Sequence, residues 1–241
     1  MILENTPAAQ SSSERTDVVA RLLGGVVVSS QTHRAGGPMD DPDVLVRMAL
    51  SAGLGGARGY RVASPLVVAR LRRQTSLPII GLTKVHADGF SVYITPSVAD
   101  VVALIDAGAD IVAADCAPES RPADPFSELV TACHSHNVPI MADCATVDQA
   151  LMALGQGADI VATTMAGFTI GTAHIVPPDM DMLTQLRARV SAPIALEGGV
   201  WTPHDVQLAF AAGASFVVVG SAVTDPERIT ARLVAAAPPA S

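Results

Sequence analysis

GADIVAADC at residues 108–116 and GADIVATT at 157–164 repeat one pattern, and GASFVVVGS at 213–221 varies it. Each begins with a turn-forming glycine and runs into an apolar, β-branched string of strand character. A second series, LPIIGLTK, VPIMADC and APIALEG, places Pro78, Pro139 and Pro193 at first-strand positions, where a missing amide is tolerated. The two series alternate from about residue 110 onward. Between them lie PSVADVVALIDAG, PFSELVTACHSHN, TVDQALMALGQG and PHDVQLAFAAG, which carry a helical period. Most are opened by Ser, Thr, Pro or Asp and closed by Gly or Asn.

Extending the alternation in both directions predicts eight strands, at roughly 25–31, 57–62, 78–84, 110–115, 138–143, 158–164, 193–197 and 215–220. Strand and helix in strict alternation, eight times over, predict a single (β/α)₈ TIM barrel of the phosphate-binding type over residues 18–241. A doubly wound open sheet fits less well, because it needs fewer strands and a Gly-rich turn after the first one. Residues 1–17 are polar, Ser-rich and without apolar period, and are expected to be a disordered tail.

Composition fits that architecture. Of 241 residues, 49% are hydrophobic but only 3% aromatic, a balance that suits strands covered on both faces by helices. A formal charge of −8 argues against nucleic acid or an anionic membrane as partner. No apolar run reaches spanning length, and the first residues lack the basic and apolar regions of a secretory signal, so a cytoplasmic protein is expected. The three cysteines, Cys116, Cys133 and Cys144, lack zinc-site spacing and suit a reducing compartment. The histidines show no metal-ligand pattern at the strand ends, so neither metal nor cofactor is expected.

In such barrels the loops after the strands carry the chemistry. The predicted strand ends are polar: Gln31, Arg61, Lys84, Asp115, Asp143, Thr163 with Thr164, Glu197, and Gly220 with Ser221. Asp115 and Thr163 read equally well as a helix cap and a backbone-bonding threonine. Lys84, desolvated at the mouth beside Arg61, is expected to have a lowered pKa and to serve as a base. An ion pair with Asp115 or Asp143 is its structural alternative. Glu197 stands four strands away, so the two groups can address opposite faces of one substrate carbon. The EGG and VGSA turns offer Gly198, Gly199, Gly220 and Ser221 as an anion site.

From about Gly24 to Leu233 the chain resembles the bacterial N-acetylmannosamine-6-phosphate 2-epimerases. The carriers are GGVVVSSQ (24–31), RGYR (58–61), PIIGLTK (78–84), YITPS (93–97), GADIVAADC (108–116) and SRP (120–122). MADCAT (141–146), GADIVATTMAGFT (157–169), EGGVWTP (197–203) and VVVGSAVTDPERIT (217–230) complete them. The resemblance implies interconversion of N-acetylmannosamine 6-phosphate and N-acetylglucosamine 6-phosphate, as in sialic acid catabolism, by a homodimer. It implies Lys84 and Glu197 at the reacting carbon, with Gln31, Arg61 and Asp143 holding the sugar. Gly199 and Asp225 stand where the family usually carries arginine, and Arg228 is a candidate substitute for the lost charge. Two rival readings stay open: a related epimerase for a different, unphosphorylated sugar, and a noncatalytic barrel that binds a phosphosugar.

Overall fold

The glycine-alanine-polar repeat has a physical meaning at the bottom of the molecule. In the computed structural model, Gly108, Gly157 and Gly213 have φ of 96°, 102° and 96°, the left-handed turn that releases each helix into the next strand. The alanine that follows is buried. The polar residue then reaches to the preceding strand. Asp110 Oδ2 accepts the Ile79 N–H at 2.8 Å, Asp159 Oδ2 that of Ile140 at 2.9 Å, and Ser215 Oγ that of Ile194 at 3.0 Å. Each of those amides lies one residue after Pro78, Pro139 or Pro193. The two sequence series are therefore the two halves of a staple made three times.

The structure describes Arg15, residues 17–118 and residues 121–238. The first strands and helices are β1 Val26–Ser30, α1 Pro42–Leu54, β2 Gly59–Ala63, α2 Pro65–Arg72, β3 Ile79–Leu82, α3 Val98–Asp106 and β4 Ile111–Asp115. They continue as α4 Phe126–Ser135, β5 Ile140–Asp143, α5 Val147–Gly155, β6 Ile160–Ala162, α6 Met180–Arg187 and β7 Ile194–Glu197. The chain ends with α7 Pro203–Ala211, β8 Phe216–Val219, α8 Ser221–Thr224 and α9 Pro226–Ala235. The eight strands pair in sequence order, all parallel, and β8 closes on β1. All eight predicted strands are present, each between one and four residues shorter than expected.

Side chains alternate across the sheet as a two-residue period requires. Ile80, Leu82, Ile111, Met141, Ile160 and Phe216 fill the barrel interior, while Val112, Ala114, Ile140, Leu196 and Val217 face the helices. Val19 and Leu22 belong to the inner cluster, so the segment that leads into β1 closes the bottom of the barrel. Most of the expected tail lies outside the described residues, but residues 17–20 are helical and so belong to this leading segment. Polar caps start the helices: Asp41 for α1, Ser97 for α3, Thr146 for α5 and Thr202, in a capping box with Asp205, for α7.

Asp110 also takes Arg72 Nη1 at 2.7 Å, so its removal leaves a strand amide and a guanidinium without their acceptor. Asp110→Ala should lower stability by about 1–3 kcal/mol. Asp110→Ser should recover part of the loss, because Ser215 performs the same task with a hydroxyl. Urea unfolding midpoints check both, and an unchanged midpoint in the alanine variant would refute the staple.

Candidate active site

The strands raise a set of charged groups into the mouth, and their positions follow from the register. Asp143 ends β5, wholly buried, and Arg61 on β2 is 1% exposed. Arg61 donates to Asp143 as a fork, Nη1 to Oδ1 at 2.9 Å and Nη2 to Oδ2 at 2.6 Å. Its Nη1 also lies 3.0 Å from Glu197 Oε2. Thr164 Oγ1 is 2.7 Å from Asp143 Oδ1 and 3.2 Å from Glu197 Oε2. A hydroxyl has one proton to share between the two carboxylates, and protonation of Glu197 leaves it to Asp143 alone.

That chemistry is within reach. Burial pushes the Glu197 carboxyl up to about 7, with Arg61 opposing, Asp143 adding to the rise, and the Thr164 hydrogen bond and Lys84 opposing. Lys84 follows β3 on the opposite side of the barrel and opens onto the same cavity. Enclosure by the mouth and the nearby Arg61 charge lower its pKa, while Glu197 raises it. An acid raised and a base lowered in one cavity are a matched pair for proton transfer near neutrality. The ion pair considered for Lys84 does not form among the described residues. Its Nζ contacts the Thr32 carbonyl at 3.5 Å instead.

Lys84 is held by more than its strand. Lys84 and Ile94 form an antiparallel bridge, Val85 donates to the Tyr93 carbonyl at 2.8 Å, and Thr95 Oγ1 accepts the Thr83 N–H at 3.1 Å. This hairpin brings Tyr93 into the cavity wall, stacked on His86 with ring centroids 4.7 Å apart. The cavity has a volume of about 450 Å³. Of the predicted residues, Gln31, Arg61, Lys84, Thr164, Glu197, Gly198, Gly199, Gly220 and Ser221 line it.

Asp143 and Thr163 do not line it. Asp143 sits beneath, acting through Arg61 and Thr164. Thr163 Oγ1 donates to the Glu197 carbonyl at 2.9 Å and accepts its N–H at 3.1 Å, fixing the backbone of β7. Asp115 Oδ1 accepts the Ala117 N–H at 2.8 Å, a contact within the turn after β4 rather than the helix cap considered for it, since the next helix starts only at Phe126. Asp225, which stands where a basic residue was expected, caps α9 through the Arg228 N–H at 3.1 Å. Strand-end reasoning missed His33, Tyr93, Phe168, Pro177, Trp201 and Arg228, all in the cavity wall. They come from loops. Tyr93, Phe168, Trp201 and Arg228 carried a signal only as members of the stretches YITPS, GADIVATTMAGFT, EGGVWTP and VVVGSAVTDPERIT.

Among the described residues no group of three or more His, Cys, Asp and Glu side chains is placed to hold a metal ion, and no helix is long and apolar enough to cross a membrane. A (β/α)₈ barrel with an acid and an amine of shifted pKa across its mouth has the groups that a proton-transferring enzyme needs. The family model "Putative N-acetylmannosamine-6-phosphate epimerase" matches residues 45–238, and the chain belongs to that family. A relative from Thermosynechococcus vestitus, named as a 2-epimerase of N-acetylmannosamine 6-phosphate, is 39% identical over 209 residues, 86% of this chain and 91% of its own. A Salmonella typhimurium relative of the same name is 39% identical over 206 residues, 86% of this chain and 89% of its own. The solved N-acetylmannosamine-6-phosphate 2-epimerase from Clostridium perfringens superposes with a TM-score of 0.87 at 31% identity, covering 90% of this chain and 95% of that one. These relatives are epimerases by name, which places the family among the isomerases.

In carbon-13 NMR of glutamate-labelled protein, Glu197 should titrate near about 7, above the other glutamates. The Thr164 hydrogen bond lowers that value, so Thr164→Val should move it upward. Titration of Glu197 in the ordinary carboxylate range would contradict the geometry.

Proposed function

We propose that the chain interconverts N-acetylmannosamine 6-phosphate and N-acetylglucosamine 6-phosphate by removing and returning the proton at carbon 2, with Lys84 and Glu197 at opposite faces of that carbon. The observation that carries this is the opposed pair itself: two groups, one just after β3 and one ending β7, whose pKa values are driven toward each other and which line one cavity. In the ring-opened sugar the aldehyde acidifies the neighbouring carbon, so abstraction gives an enolate and return from the other face inverts the centre. No cofactor takes part in this scheme.

Arg61 supplies the electrostatics. When Glu197 accepts the proton its negative charge disappears from beside Arg61 Nη1, as an equal charge develops on the substrate's carbonyl oxygen. The guanidinium then compensates the enolate in place of the carboxylate, without moving. The working states also share a proton count. Neutral Lys84 with protonated Glu197 carries as many protons as ammonium Lys84 with carboxylate Glu197. Both directions of the reaction therefore have one pH window. Activity falls as pH drops through the Glu197 value of about 7, and falls again as pH rises through the depressed Lys84 value.

A cytoplasmic homodimer belongs to the same reading. Three free thiols, with Cys133 pushed up to about 12 by burial, suit a reducing compartment. Helix α9 buries none of its residues and leaves Leu233 and Val234 exposed, a surface suited to a second copy.

Proton NMR in deuterated water with N-acetylmannosamine 6-phosphate should show deuterium entering carbon 2 and the glucosamine epimer forming. Lys84→Ala and Glu197→Ala should each lower turnover by about 10²–10⁴-fold while the barrel stays folded by circular dichroism. Near-normal turnover in either variant would overturn the assigned roles.

A further inference from the structure

We propose that His33 and Arg228 hold the substrate's phosphate, clamping it between the β1–α1 loop and the start of α9; this rests on the epimerase reading above. The cavity has four cationic or basic side chains on its wall among the described residues: Arg61, Lys84, His33 and Arg228. The Arg61 fork is tied to Asp143 and Glu197. Lys84 faces the reacting carbon. In the open-chain sugar, carbons 3, 4 and 5 separate carbon 2 from the phosphate-bearing carbon 6, so the phosphate must leave the Lys84 end. His33 and Arg228 remain, and both share the cavity wall with Gly220 and Ser221, where His33 Nε2 lies 3.5 Å from Ser221 Oγ. The same two side chains also line an adjoining cavity of about 280 Å³, so the clamp sits where the two spaces meet.

The charges around His33 favour an anion. Burial, Arg228 and Lys84 lower its pKa, and Asp225 alone opposes them, which marks a locally positive field. Of the two carboxylates at the facing helix, Glu227 is engaged elsewhere and Asp225 competes weakly for Arg228. Glu227 is paired with Arg34, Nε to Oε2 at 3.0 Å. Asp225 caps α9 with Oδ1 and touches Arg228 Nε through Oδ2 at 3.4 Å, a loose contact for a guanidinium that is 52% exposed. Gly199 explains why the charge is not on β7. It has φ of 70°, and a Cβ there would fall 2.5 Å from the Pro177 carbonyl carbon, so a long basic side chain does not fit against this loop.

The test compares wild type with His33→Gln, Arg228→Gln, the double variant, Arg228→Lys and Asp225→Asn. For N-acetylmannosamine 6-phosphate, each glutamine variant should raise KM by about tenfold, the factor of a charge-assisted hydrogen bond, with kcat little changed. Arg228→Lys should recover part of the loss. Asp225→Asn keeps a good cap and removes the competing charge, so it should lower KM. Calorimetric titration with inorganic phosphate reads the anion site without turnover, which separates the two readings. Phosphate bound by wild type and lost in the double variant, with an unchanged unfolding midpoint, supports the clamp whether or not the sugar is turned over. Equal phosphate binding and equal KM in wild type and double variant would overturn the clamp and leave the epimerase reading standing.

Discussion

One buried guanidinium between two carboxylates sets the terms for everything else in the mouth. Removing Arg61, Asp143 and Glu197 from water is costly, and their mutual attraction offsets that cost only where hydrogen-bond geometry is good. Asp143 has the good geometry, with both oxygens on the Arg61 fork and a third contact from Thr164. One positive charge cannot balance two negative ones. The surplus falls on Glu197, which shares Nη1 with Asp143 and is pushed toward neutrality. A proton-accepting group near pH 7 is thus a product of burial first and of the unbalanced charge of Asp143 second.

The remaining parts of the mouth adjust this imbalance. Lys84 on the far wall lowers the Glu197 value, and the hairpin through Thr83, Tyr93 and Thr95 keeps the lysine at its station. On the opposite side the β6–α6 loop lies against β7, with Phe168 beside Gly198 and Pro177 against Gly199. The second of these glycines lets the loop approach where a side chain would hold it away. A cost follows for anion binding, since a strand-end cation has no room there, and positive charge must come from neighbouring loops.

The fold was legible because its signals are local and repeated. A glycine turn, a buried alanine and a polar staple recur as GAD, GAD and GAS, and each recurrence marks a strand start that no tertiary accident can shift. Lys84 and Glu197 were legible for a related reason: a charged residue ending an apolar string has few structural explanations. Thr163 and Thr164 show where this stops. Two adjacent threonines on one strand end face in different directions, one toward the backbone of β7 and the other into the cavity, and only the register decides which. His33 and Pro177 were not legible as wall residues, because their positions depend on the path of loops rather than on any period.

The polar contacts at the two ends of the barrel also alternate around its circumference. At the bottom, Asp110, Asp159 and Ser215 tie β3 to β4, β5 to β6 and β7 to β8. At the mouth, Cys116 Sγ reaches the Asp143 carbonyl at 3.3 Å across β4 and β5, Thr163 bridges β6 and β7, and Thr224 Oγ1 donates to the Ser29 carbonyl at 2.7 Å from beyond β8 to β1. From β3 round to β1 the cylinder is therefore laced like a shoe, each strand between those two knotted to one neighbour below and to the other above. A shear between neighbouring strands of this run must loosen a knot at one end or the other, so the lacing adds to Arg61 and Thr164 in holding the spacing of Asp143 and Glu197.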